Sequence, residues 1–270
     1  MGAAAPDDAR GRAPVSRIGV EVVGGVATLL VDNPPVNSLS EAVLTSLDDT
    51  LVTLAADLTI GAVVVAANGP VFLSGGDLHE IRQLLDDPRA AEAHVALTAR
   101  VLGRLSSLGQ PVVAAVQGPA VGGGFEVTLA CDLVVVDERA SFRLPEVGLG
   151  LMPGAGGTQR LTRLVGRRRA TEIVLFGRKI GAEEAVWLGL ATRVAPSGQS
   201  RAVAEEMAAQ LASSSRSAVA AALGSIRAAE PPAGEGLELE RRAFLQLLSG
   251  PDAREGTAAF FEKRAPRFAR

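Results

Sequence analysis

The sequence predicts an α/β fold whose strands form a largely parallel sheet covered on both faces. Three continuous apolar runs of strand length, at residues 62–66, 112–116 and 133–136, show no alternation with polar residues. That is the pattern of strands buried on both sides. Each run is followed by a loop rich in glycine or proline and then by a segment with helical spacing, the order produced by repeating βα units. The three units share one design with little identity between them, so a structural repeat and a generic α/β sheet both fit.

The elements follow in order. Residues 20–23 and 26–31 read as two strands joined by Gly24 and Gly25, which supply the positive φ angles of a tight hairpin turn. "DNPPVNSLS" breaks that pattern. Ser40 then precedes "EAVLTSLDDTLVTLAADL", where Val43, Leu44, Leu47, Leu51 and Leu54 recur at helical spacing without a full capping box. Beyond the break at 196–200 the strand signals stop and Ala-rich helical sequence runs to the end. Asp252 and Glu255 fit an N-cap pair opening a last helix, and Phe260–Phe261 beside Lys263 suggests a subunit interface. The expected organisation is a disordered tail over 1–14, a core over 15–196 and a helical oligomerisation region over 197–270.

Composition narrows the function. The 270 residues are 47% hydrophobic and 21% charged, enough to bury a sizeable core and far from the composition of disordered chains. A net charge of -3 and a pI near 5.6 argue against nucleic-acid binding and against docking on anionic membranes. Lysine occurs only at Lys179 and Lys263; the excess of arginine reads as coding bias. One cysteine, Cys131, excludes an internal disulfide and a thiolate zinc site, and its apolar flanks suggest a buried small residue. No apolar run reaches the length needed to span a bilayer, and "MGAAAPDDARGRAPVSR" lacks an apolar signal core, so a cytoplasmic protein is expected. His79 and His94 have no metal-ligand partner at helical spacing and read as packing or surface. Arg167–Arg168–Arg169 reads as a solvated helix start, and Trp187 and the methionines as packing.

Two loops, "FLSGGDLHEI" at 72–81 and "GPAVGGGFEV" at 118–127, share a design: apolar strand, adjacent glycines, helix. The first N–H groups of a helix have no intrahelical partner and the dipole there favours negative charge. Two such termini converging make an anion site from main chain alone, although any single glycine pair is explained as well by a tight turn. Asp77 caps or braces the first loop. Neither a dinucleotide G-x-G-x-x-G opening a helix nor a phosphate loop is present. Glu126 falls in the first turn after Gly122–Gly123–Gly124, and Glu146 follows Pro145 in "SFRLPEVGLG". Taken alone, Glu126 fits a residue complementing the helix dipole better than a catalyst.

"NPPVNSLS", "VFLSGGDLHEI", "PVVAAVQGPAVGGGFEVTLACDLVVV", "ASFRLPEVGLGLMPGAGGTQRL", "AVWLGLATRV" and "EGTAAFFEKRAPRF" occur together and in this order, and from residue 20 onward the chain resembles the enoyl-CoA hydratase/isomerase (crotonase) superfamily. The resemblance implies a ββα spiral core with a C-terminal helical trimerisation region. It implies an oxyanion hole from the N–H groups of Gly76 and Gly123, directed at a thioester carbonyl, with donors worth roughly 3–4 kcal/mol each. Glu126 and Glu146 match the two glutamates of the hydratase branch: both hold the water, and Glu146 protonates the α-carbon. CoA contacts are implied for Leu73, Ser74, Gly76, Asp77, Leu78 and Gly123, and for Phe260 and Lys263 reaching the CoA of a neighbouring subunit. CoA is then the substrate's handle, with no metal or redox cofactor, in a homotrimer or homohexamer. Leu73 and Gly76 stand where the family often has alanine, and Asn33 is followed by Pro34–Pro35 in place of a basic residue. The rivals are enoyl-CoA isomerisation with Glu146 as sole proton shuttle, and a non-catalytic RNA-binding role.

Overall fold

The computed structural model describes residues 17–229 and 234–268; the tail expected over 1–14 lies outside them. Strands β1 (Arg17–Val23) and β2 (Val26–Asp32) form the expected hairpin, with Gly24 at φ 57° and Gly25 at φ 80° in the turn. Helix α1 (Glu41–Ala56) starts at Ser40, whose Oγ accepts the Val43 N–H. Strand β3 (Ala62–Ala67) follows, then α2 (Leu78–Leu84) and α3 (Pro88–Ser107). The stretch 84–93 is mostly helix. Asp87 accepts the N–H groups of Arg89 and Ala90 and Pro88 fills the first helical position, an N-cap and proline pair that favours a helix start.

Next come β4 (Val112–Val116), β5 (Pro119–Val121), α4 (Gly123–Leu129), β6 (Leu133–Asp137) and β7 (Ser141–Arg143). A 3-10 turn over Glu146–Leu149 leads to α5 (Gly157–Val165), α6 (Arg167–Phe176), β8 (Ile180–Gly181), α7 (Ala182–Trp187) and β9 (Arg193–Ala195). The remainder is helical: α8 (Ser200–Ala212), α9 (Arg216–Ala228), α10 (Gly234–Leu248) and α11 (Pro251–Phe261). Strands and helices thus alternate through the first two thirds of the chain and helices alone follow, as expected of an α/β core with a helical C-terminal region.

The main sheet has the order β1-β2-β3-β4-β6-β9, parallel from β2 onward. Its apolar strands are covered on both faces. One face packs Val63, Val65, Val112 and Val116 against Leu51, Leu102 and Leu105 of α1 and α3. Truncating a fully buried side chain there, such as Leu102, to alanine costs about 2–5 kcal/mol. The other face packs Val64, Val113 and Val135 against Ala204 and Ala208 of α8, so the first helix after the last strand lies on the sheet. Helices α10 and α11 fold back over the loops that follow the strands, burying Leu248 and Ala253 with Ile81, Leu85 and Leu151.

A second, smaller sheet positions the site. It runs β5-β7-β8, with β5 and β7 parallel, and Leu73 adds a parallel bridge to Ala120 of β5. Three successive rungs, Leu73, β5 and β7, therefore end at one edge. Beyond them the chain emits Gly75–Gly76, then Gly122–Gly123 and Glu126, then Glu146. Parallel pairing brings segments some 20–50 residues apart to a common mouth, the usual place for a site in parallel α/β architecture.

Three local expectations are corrected. Helix α11 begins at Pro251 after Gly250, so Asp252 lies inside the first turn and makes no cap pair with Glu255; proline suits that first position because its missing N–H would have no helical partner. Glu255 instead holds Arg264 at 2.5 Å. Trp187 is 69% exposed, with the Arg169 guanidinium 4.3 Å over its ring, so this indole packs under a cation and not in the core. Cys131 is only partly buried; its thiol donates to the Val127 carbonyl.

Candidate active site

The first glycine loop is tied down at both ends. Leu39 N–H donates to the Gly75 carbonyl at 2.7 Å. Asp77 caps α2 by accepting the His79 and Glu80 N–H groups and also takes the Ser38 hydroxyl. Gly75 holds φ 86°, a conformation that side-chain-bearing residues seldom adopt, and a Cβ there would stand 2.8 Å from the Val121 carbonyl and 3.1 Å from the Gly123 nitrogen. The two loops thus touch through bare backbone. The Gly76 nitrogen lies 3.8 Å from where a Gly123 Cβ would be, and neither the Gly76 nor the Gly123 N–H has a backbone acceptor among the described residues.

Behind this pair, Leu73 is buried and its carbonyl fills the space a Gly124 side chain would need. Glycine at 124 is therefore what lets α4 seat against the first loop. Phe125 and Phe142, ring centroids 5.0 Å apart, lock α4 onto β7. Such a pair adds about 0.5–1.5 kcal/mol beyond area burial.

Glu126 is 3% exposed. Its Oε1 accepts the Ala155 N–H at 2.8 Å and the Gly157 N–H at 2.7 Å, while Oε2 has no donor among the described residues. Burial raises its pKa, and the charge of Glu240 raises it further; the two N–H bonds and Arg160 oppose that rise. Glu146 keeps some exposure as a residue, yet its Oε2 is closed off from solvent and unpartnered. Burial raises its pKa too, followed by the charge of Glu126. Two carboxyls that feel each other's charge cannot both ionise without cost. Two N–H donors, from Ala155 and Gly157, favour the ionised form of Glu126, whereas Glu146 has only its own backbone N–H acting that way.

Gly76, Gly123, Glu126 and Glu146 are thus brought to one mouth, with Leu73, Ser74, Asp77 and Leu78 along the first loop. Phe260 and Lys263 stand exposed at the end of α11. Their neighbour Phe261 packs on His79 of α2, centroids 4.7 Å apart, under Arg82. Two charged residues were not foreseen, the buried Glu240 on α10 and the half-buried Arg160 on α5. Glu240 shares a helix face with Leu237, Phe244 and Leu248. A carboxylate on an apolar stripe was the signal.

This fold and the convergence of two glycine loops with two buried carboxyls define a crotonase-type protein. The family model for enoyl-CoA hydratase/isomerase matches residues 21–270, and the chain belongs to that family. It is 39% identical over 248 residues to a 2,3-dehydroadipyl-CoA hydratase of Escherichia coli K12, covering 89% of this chain and 94% of that one. It is 37% identical over 247 residues to a probable enoyl-CoA hydratase of Mycobacterium bovis, covering 90% and 93%. Among solved structures, an enoyl-CoA hydratase of Mycobacterium avium subsp. paratuberculosis superposes with a TM-score of 0.85 at 32% identity, covering 95% of this chain and all of that one.

Proposed function

We propose that the protein catalyses reversible syn addition of water to a 2-enoyl-CoA, giving the 3-hydroxyacyl-CoA. The observation that carries this reading is the asymmetry of the two carboxyls: Glu126 has one oxygen held by two N–H groups and one free, and Glu146 has an unpartnered oxygen closed off from solvent.

In this reading the thioester carbonyl accepts hydrogen bonds from the N–H groups of Gly76 and Gly123. Water attacks the β-carbon while Glu126 Oε2 takes its proton, and the π electrons move onto the thioester oxygen as an enolate. Glycine N–H groups aimed at that developing charge lower the barrier. Collapse of the enolate takes the Glu146 proton at the α-carbon, and one proton then passes from Glu126 to Glu146 to restore the pair. Delivery from two carboxyls on one side of the planar enoyl group makes the addition syn.

The pantetheine arm lies along Leu73, Ser74, Asp77 and Leu78, and no metal or redox group enters. We also propose self-association to a trimer or hexamer, in which Phe260 and Lys263 meet the CoA of a neighbouring copy. Exposed Phe176 (81%), Trp187 (69%) and Ile226 (68%), and α9 without a buried residue, support an interface.

The test is loss of the conjugated enoyl-thioester absorbance of crotonyl-CoA, with Glu126→Gln and Glu146→Gln run in parallel. Loss by the parent chain and by neither variant is expected. If Glu126→Gln still moves the double bond of a 3-enoyl-CoA while the parent hydrates nothing, the isomerase reading takes its place.

A further inference from the structure

Four successive amide groups at the start of α5 are divided between two carboxylates. Ala155 and Gly157 donate to Glu126 Oε1 at 2.8 and 2.7 Å. Gly156 donates to Glu240 Oε1 at 2.5 Å and Thr158 to Glu240 Oε2 at 2.9 Å, with the Thr158 hydroxyl on the same oxygen. The amides alternate because successive N–H groups of this turn point to opposite sides. Glu126 takes one side and Glu240, 3% exposed on α10, takes the other.

The turn has no room to adjust. Gly156 sits at φ 103°, and a Cβ on Gly157 would meet Glu126 Oε1 and the Pro153 Cβ at 2.8 Å each. Arg160 crosses back to donate to the Ala155 carbonyl at 2.7 Å. Phe244, one turn along α10 from Glu240, lies against Gly154.

We propose that Glu240 is a positioning residue for Glu126: from the C-terminal helix it holds the outer side of the 155–158 turn, whose inner side fixes the carboxylate that works on water. Its consequence for catalysis rests on the hydratase reading above. Helix α10 thereby becomes part of the site, because a carboxylate 114 positions away in sequence decides where the Ala155 and Gly157 N–H groups point.

The charged groups facing Glu126 are Glu146 from the 3-10 turn, Glu240 from α10 and Arg160 from α5, with Arg163 acting on Arg160. Removing the Glu240 charge therefore moves the titration of Glu126 to lower pH. A residue that only stabilised the fold would not do this.

The experiment compares Glu240→Gln and Glu240→Ala with the parent chain. Steady-state hydration of crotonyl-CoA is read together with a carbon-13 titration of labelled glutamate carboxyls, in which the Glu126 signal is assigned by its loss in Glu126→Gln. Alanine leaves the Gly156 and Thr158 donors unheld, and kcat is expected to fall on the order of 10–100-fold with KM within a few-fold. Glutamine keeps one acceptor of the same shape, so it loses less kcat but still shifts the Glu126 titration downward. A folded Glu240→Gln variant with parental kcat and an unmoved Glu126 titration overturns the proposal, whether or not the alanine variant folds. If the parent chain hydrates no enoyl-CoA, the hydratase reading fails, and the carbon-13 titration alone decides whether Glu240 governs Glu126.

Discussion

The carboxylate of Glu146 lies against the bare α-carbon of Gly122, with Oε1 2.8 Å from the place a Cβ would take. Gly122 also holds φ 54°, ψ -127°, a region that side-chain-bearing residues avoid. One position therefore serves both the turn into α4 and the seat of the Glu146 carboxyl. Gly122→Ala is expected to push Glu146 aside and strain the turn, lowering kcat on the order of 100-fold while the melting temperature falls by several degrees. Parental kcat in a folded Gly122→Ala variant would show that Glu146 does not act from this seat.

Gly76 offers a milder case. A methyl there would meet only Ile81 Cδ1, at 2.9 Å, the far end of a flexible side chain. Gly76→Ala is expected to keep activity within about tenfold, since the N–H is retained, and Gly76→Ala with Ile81→Val should recover part of the loss. The check is kcat/KM for crotonyl-CoA in both variants. A larger defect in the double variant than in the single would place the loss in the backbone and not in this contact.

Activity should depend on pH in a range unusual for carboxyl groups. Burial pushes Glu126 up to about 7 and Glu146 to about 8. In the proposed mechanism hydration needs Glu126 ionised and Glu146 protonated, so kcat/KM should rise with pH through the lower constant and fall through the upper one. Both constants belong to the interacting pair. A profile flat from pH 6 to 9 would contradict these roles.

Stability should run against activity. Glu126, Glu146 and Glu240 all have raised pKa values in the folded chain. Their neutral forms favour folding below the ordinary carboxyl range, and that contribution is lost as pH rises through the raised values. The melting temperature should therefore fall between pH 6 and pH 9. Glu126→Gln, which removes one buried charge but keeps an acceptor for Ala155 and Gly157, should flatten that slope and stabilise the protein at pH 8 on the order of 2 kcal/mol. Thermal unfolding of both proteins across this range is the measurement; equal slopes would mean that Glu126 is not buried as an ion.

Much of this was readable one segment at a time. Apolar runs without alternation announced strands covered on both faces, and Gly24–Gly25 announced the hairpin, because backbone conformation and burial pattern are local properties. The glycine loops and both glutamates could likewise be placed from the residues and the resemblance they carry. The Asp87–Pro88 helix start was equally local. Tertiary structure alone decided what each feature faces. Parallel pairing of Leu73, β5 and β7 set Gly76, Gly123 and Glu146 side by side, although nothing near any one of them in sequence specifies the others. Glu240 shows the limit most clearly: in "EGLELERRAF" it is one glutamate among three. Only the return of α10 over the loops made it the second holder of the turn that fixes Glu126, because hydrogen bonds and burial depend on distance in space.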